Sequence, residues 1–347
     1  MEKGVAQRIA ELHQRAFTVD AHFDLTYDLA NRRERGQKEV LVNNYMDSIR
    51  AGGFDLIVSA IFVHELFLPE MGLRRALDQI SFLHEEMEET PGLFRLCRTL
   101  QEAEVAKEQG EVALFLSLEG ADPLQNDIRL LRIFYELGVR GLGLVWSRRN
   151  YVADGAFFAP QREGKKGGLT PFGVQLVMEA ERLGMFIDVS HLNDEGFWDV
   201  LELAQKPLIA SHSNCRALAP SMRNLSDDQI VAVGEKGGVI GMNSVNHFIR
   251  ENGAGAAVSH LIDHVDHIGD LIGIEHVGLG FDICSSFENY LNYKQALPTY
   301  DTIGDHSQLH LFTGEMLERG YSDEDILAVL GGNFKRLFRE ILDEVVY

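Results

Sequence analysis

Cysteine is scarce in this sequence. Cys97, Cys215 and Cys284 are the only three in 347 residues, an odd number with no Cys-x-x-Cys pair. A disulfide framework and a thiolate zinc site are both excluded as organising features, and a reducing compartment suits the chain. Basic residues are also in deficit: 32 Lys and Arg stand against 53 Asp and Glu, a formal net charge of −21. Nucleic-acid binding needs basic stripes, so that class of partner is excluded. No apolar run is long enough to span a bilayer. The opening MEKGVAQRIAELHQRA is an amphipathic helical pattern charged throughout, without the apolar core of a signal peptide or a lipidation signal. A soluble cytoplasmic protein with no membrane partner is expected. Finally, no apolar run leads into a Gly-rich phosphate turn of the Rossmann kind.

What the chain does have is alternation. With 45% hydrophobic and 24% charged residues it has a globular composition. Eight short, nearly continuous apolar runs occupy 17–22, 54–63, 112–118, 139–146, 185–190, 207–211, 238–243 and 276–281. Such runs suit parallel strands covered on both faces. Between them lie helical patterns at 170–184, 194–205, 226–238 and 256–273. The first has Thr170 placed to cap, Pro171 at its first position and Gly184 as its stop. Eight strand–helix repeats predict a (β/α)8 TIM barrel filling residues 1–347 as one domain, with helices in 302–347 packed on its outside. A doubly wound open sheet is the alternative. The long connections at 25–44 and 147–169 do not read as separate domains.

Side chains at the C-terminal ends of barrel strands form the active site in this architecture. The first run ends in VDAHFD, which brings His22 and Asp24 two residues apart; alone, a His-x-Asp pair means little. The later ends carry Glu119, His191, His212 and Asp282. Leaving so many ionisable groups unpaired in a partly dry cavity would cost several kcal/mol per charge, and a bound cation removes the difficulty. Two divalent ions fit the set: His22 and Asp24 on one, His191 and His212 on the other, Glu119 bridging, with a shared water or hydroxide. Ions so paired sit roughly 3.5–4 Å apart. Asp282 is the remaining carboxylate, placed to take a proton from the attacking water and pass it to a leaving group.

Other signals are discounted. His260, His264 and His267 form a helical stripe interleaved with Asp263, Asp266 and Asp270, which reads as a solvated, acid-paired face, and His306 and His310 read the same way. His64 suits a local structural role. Cys215 and Cys284 are not expected to be ligands, and the runs at Arg32-Arg33 and Lys165-Lys166 read as solvated loops.

The chain resembles the membrane (renal-type) dipeptidases, zinc-dependent members of the amidohydrolase superfamily. The matching pieces are VDAHFD, SLEGADPL, ADG at 153–155, GLTPFG at 168–173, DVSHL, SHSNCRAL with MRN at 222–224, GGVIGMN, VGLGFD and GGNFKRLF, in order along almost the whole chain. The resemblance implies a binuclear zinc barrel that hydrolyses dipeptides, often with a D-residue at the C-terminal position, and a homodimer. It places the metal ligands on His22, Asp24, Glu119, His191 and His212, the catalytic carboxylate on Asp282, and the arginine that holds the substrate carboxylate on Arg223. Two departures stand out. Trp146 replaces a histidine that contacts substrate and stabilises the oxyanion, which leaves Arg149 and Asn150 as nearby candidates for that contact. The usual Asp-Phe-Asp-Gly reads Asp282-Ile283-Cys284-Ser285, so the 283–300 loop bears on specificity. An amidohydrolase acting on N-acyl amino acids, lactams or other small amides is one alternative; a non-catalytic metal-barrel binding protein is another.

Overall fold

All eight apolar runs form strands, and one short strand joins them. The computed structural model describes residues 3–158, 164–285, 287 and 299–343. Its strands are β1 (Thr18–Phe23), β2 (Phe54–Phe62), β3 (Phe94–Leu96), β4 (Val112–Glu119), β5 (Val139–Gly143), β6 (Phe186–Asp188), β7 (Ile209–Ala210), β8 (Val239–Met242) and β9 (Val277–Leu279). The order is β1-β2-β4-β5-β6-β7-β8-β9, with neighbours paired in parallel, and β3 pairs β4 outside this path. With helices between the strands, this is a nearly closed (β/α)8 TIM barrel. The extra strand, β3, has only three residues and an Arg at its centre, too little apolar periodicity to read in sequence.

The seam between β9 and β1 is bridged by a side chain. Asp20 Oδ1 accepts from the backbone amides of Phe281 at 3.1 Å and His22 at 3.2 Å, and its Oδ2 lies 2.9 Å from His306 Nε2. His306 is therefore buried at the seam, where the sequence suggested a solvated helix face. His264 differs in the same way. It lies within the helix Val258–Ile272, three residues after Leu261 and four before Ile268, so it shares their buried stripe. There its Nδ1 accepts from the Cys215 amide at 3.0 Å, and its Nε2 lies 3.0 Å from the Ile249 carbonyl oxygen. His267 does pair with an acid, Asp227, at 2.8 Å.

Local signals hold where caps specify them. The helix Pro171–Arg182 starts at Thr170, whose hydroxyl accepts from the Gly173 amide at 3.0 Å, and Gly184 follows it in the left-handed region at φ 74°. Ser226 and Gln229 form a reciprocal capping box ahead of Asp227–Glu235.

The C-terminal helix Asn333–Leu342 does not sit on the outside of the barrel. Its Phe334, Leu337, Phe338 and Ile341 join one buried cluster with Val19, Leu56, Val58, Phe115, Phe186 and Val239, the inward-facing residues low in the barrel. The Phe338 ring lies 5.3 Å from that of Phe115 and 5.1 Å from that of Phe186. Gly278 admits this helix: a Cβ there would lie 2.4 Å from the Phe334 ring. The helix thus plugs the end of the barrel opposite the strand termini that carry the ionisable residues. Among the described residues no helix is long and apolar enough to cross a membrane.

Candidate metal centre

Each ionisable side chain reaches the mouth of the barrel for a local reason. Pairing of β1 with β2 slips register between Asp20 and Phe23, which breaks the strict alternation of the strand around His22. Asp24 stands just beyond β1 and opens the helix Leu25–Glu34, yet its carboxylate makes no capping bond. Glu119 ends β4 on the face that carries Ala113 and Phe115, the barrel interior. His191 and Asp282 follow β6 and β9 with backbones in the left-handed region, φ 69° and 54°, unusual for residues with a Cβ and typical of functional turns. His212 follows β7 directly after Ser211.

These groups converge. Glu119 Oε1 lies 2.9 Å from His191 Nε2, 3.7 Å from His212 Nε2 and 3.7 Å from His22 Nε2. The two Nε2 atoms of His191 and His212 are 2.8 Å apart, and the His22 ring stacks on His212 with centroids 3.7 Å apart. Two compact triplets result, His22–Asp24–Glu119 and Glu119–His191–His212, each with ligand atoms within 4.8 Å of one another. Glu119 is common to both. His22–Asp188–His212 and Asp24–Asp282–Cys284 also group within that distance.

His22 Nε2, Asp24 Oδ1 and Glu119 Oε2 are buried without a hydrogen-bond partner. Burial pushes the Asp24 carboxyl up to about 7 and those of Glu119 and Asp282 well above the carboxylate range. It pushes His22 down to about 3 and holds His191 and His212 well below the imidazole range. Neutral imidazoles beside carboxylate oxygens left without a partner are the donor set a divalent cation satisfies. The residues present fit two such ions.

Around this centre lie the other residues singled out in the sequence. Asp282 Oδ2 accepts from Asn243 Nδ2 at 3.0 Å, and its Oδ1 is 4.0 Å from His22 Nε2. Arg223 is buried, donates through Nη2 to the His212 carbonyl at 3.2 Å, and lies with its guanidinium carbon 5.6 Å from the Phe248 ring centre. Its Nε has no partner, and burial lowers its pKa to about 10. The Trp146 ring lies 5.9 Å from that of His191, packed against Phe62 and Phe158.

Two candidates do not reach the centre. Asn150 is committed to its own loop: its amide donates to the Leu144 carbonyl at 2.9 Å, and its oxygen accepts from the amides of Val152 and Ala153. Arg149 pairs with Asp154 on a half-exposed side of that loop. Cys284 Sγ lies 3.7 Å from Asp282 Oδ1, beside the centre. Most of the 283–300 loop is outside the described residues. His64 has a local role, capping the short helix Glu65–Phe67 through the Leu66 amide. Sequence reasoning gave no role to Asn243, Asp188, Ser147 or Ser211. The only signal for them was position, as short polar residues beside a strand end.

Comparisons with known proteins bear on the family and the fold. Residues 6–344 match the family model described as membrane dipeptidase, peptidase family M19. Human Dipeptidase 3 is 30% identical over 336 residues, 93% of this chain and 64% of its own length. The chain thus spans less than two thirds of that relative, whereas it covers nearly all of the similar solved chains. One of these, the metallo peptidase dipeptidase AC, is 30% identical with a TM-score of 0.81, matching 94% of this chain and 98% of its own. Another is a metallo peptidase from Rhodobacter sphaeroides bound to a phosphinate mimic of L-Ala-D-Ala; it is 28% identical with a TM-score of 0.81, matching 93% of this chain and 99% of its own.

Proposed function

The chain belongs to the membrane dipeptidase family, peptidase family M19, and we propose from that premise that it is a two-metal dipeptidase, zinc-dependent, acting on substrates of the L-Xaa-D-Xaa type. The observation that carries this reading is the pair of ligand triplets sharing Glu119, with the buried Arg223 beside them. His22, Asp24 and Glu119 would hold one ion; Glu119, His191 and His212 the other. The ions would polarise the scissile carbonyl and acidify the water they share.

The chain's own residues do the rest. Asp282, oriented by Asn243 and turned inward by its left-handed backbone, accepts the proton of the attacking water and delivers it to the leaving amine. Arg223 offers Nε and a neighbouring Nη to the substrate's terminal carboxylate, a two-point contact that limits the substrate to a short peptide. Trp146, Phe62 and Phe158 form an aromatic wall beside His191. The phosphinate bound by the Rhodobacter relative supports a dipeptide of this stereochemistry. The test is turnover of L-Xaa-D-Xaa and L-Xaa-L-Xaa dipeptides by zinc-supplemented protein; a rate no higher than that of His22→Ala refutes the reading. The aromatic wall also favours a second reading, hydrolysis of N-acyl amino acids or lactams. It is distinguished by comparing those substrates with dipeptides on the same preparation.

A further inference from the structure

Asp188 is buried at the end of β6 and has no role in the chemistry above. Its Oδ1 accepts from the backbone amides of Ser190 at 2.9 Å and Ser211 at 3.0 Å, and its Oδ2 from the Ser211 hydroxyl at 2.5 Å. With three donors aimed at it, this carboxylate acts as an acceptor only, and the single Ser211 hydroxyl proton is directed at it. The same Ser211 oxygen lies 2.7 Å from His212 Nδ1. With its proton committed to Asp188, that oxygen can only accept, so the hydrogen between them sits on Nδ1.

We propose that Asp188 is a positioning residue: through the Ser211 hydroxyl it fixes His212 as the Nδ1–H tautomer and leaves the Nε2 lone pair facing Glu119. Asp188 is near enough to His22 and His212 to resemble a ligand, but its oxygens are already engaged. His191 provides the contrast. Its Nδ1 lies 2.7 Å from the Ser147 hydroxyl, and no carboxylate is found behind that serine among the described residues, so nothing there fixes which way the proton points. The two histidines of one triplet are thus held unequally. A partner on the far nitrogen orients a metal-binding imidazole and raises its basicity. The consequence for metal affinity rests on the two-ion reading above; the tautomer does not.

The sharpest perturbation is Asp188→Asn. The amide oxygen keeps the two backbone donors, but the amide nitrogen now donates to Ser211, and the freed hydroxyl proton turns to His212 Nδ1. The imidazole must then carry its hydrogen on Nε2, toward the metal. Nitrogen-15 NMR of metal-free, histidine-labelled protein reads the tautomer directly, with the His212 signal assigned by its loss in His212→Ala. Wild type and Ser211→Thr are expected to show Nδ1–H, Asp188→Asn Nε2–H, and Ser211→Ala a mixture. Zinc titration at buffered free metal should show the affinity of one ion falling about 10- to 100-fold in Asp188→Asn and Ser211→Ala and recovering in Ser211→Thr. An unchanged Nδ1–H tautomer in Asp188→Asn overturns the relay; if that variant does not fold, the same result in Ser211→Ala does so. Wild type that shows Nδ1–H yet takes up less than one equivalent of zinc sustains the relay and refutes the two-ion reading.

Discussion

Replacing Arg223 with Met separates the two duties assigned to this position, holding the fold and holding a carboxylate. The guanidinium is buried, and its pKa is lowered to about 10 from 12.5 chiefly by that burial. At 1.36 kcal/mol per unit, keeping it charged in the folded state costs about 3 kcal/mol. Met fills similar space without that penalty, and the structural bond lost is the one to the His212 carbonyl, worth about 1 kcal/mol. Arg223→Met should therefore fold with a Tm at or above that of wild type. Catalysis should respond in the opposite sense. Removing one partner of a buried, hydrogen-bonded charge pair costs about 2–5 kcal/mol, or roughly 30- to 5000-fold in kcat/KM. That loss should fall on KM and only on substrates with a free terminal carboxylate. The assay compares a dipeptide with its C-terminal amide in wild type and variant, with bound zinc measured in both. Equal losses on acid and amide would refute the carboxylate grip, and so would a variant that loses its zinc or unfolds.

Three further outcomes follow from the same geometry. Asp282→Asn should retain its metal content and lose about 10²–10⁴ in kcat, since it removes the proton carrier and leaves the two ligand triplets intact; metal analysis beside kinetics checks both halves. Phe338→Ala should lower stability by about 3–5 kcal/mol, read by denaturant unfolding, because the ring is fully buried between Phe115 and Phe186 at the plugged end of the barrel. His264 governs an acid limb of stability. Burial lowers its pKa to about 4, so the folded state binds fewer protons than the unfolded state. Its contribution is whole above pH 6.5 and is lost as pH falls from there towards 4, about 3 kcal/mol in all. His264→Gln should flatten that part of the stability profile, and an unchanged slope would show that other groups carry it.

Local chemistry made much of this legible before folding. The eight apolar runs became barrel strands because each is buried on both faces, a demand that leaves its mark on every residue of a run. The helix after Thr170 and the one after Ser226 began where their caps sit, because a cap satisfies backbone donors within three residues. Strand-end position alone was enough to bring His22, Asp24, Glu119, His191, His212 and Asp282 to one place. The errors were of a different kind. His264 and His306 looked like solvated helix histidines, and only their partners, Cys215 and Ile249 for one and Asp20 for the other, reveal them as buried. Asn150 looked free to meet a substrate until its amide was seen engaged by its own loop.

The sequence by itself determined the barrel and the ionisable residues gathered at its strand ends, because hydrophobic period and strand position are local properties of the chain. Tertiary structure decided what stands behind those residues: that Asp188 reaches His212 through Ser211, that Asn243 holds Asp282, that Asp20 bridges the seam, and that the last helix plugs the barrel rather than flanking it. Most of those contacts join residues far apart in the chain, and a hydrogen bond leaves no periodic trace in the sequence; it depends on a donor and an acceptor that only the closed barrel brings within 3 Å or so of each other.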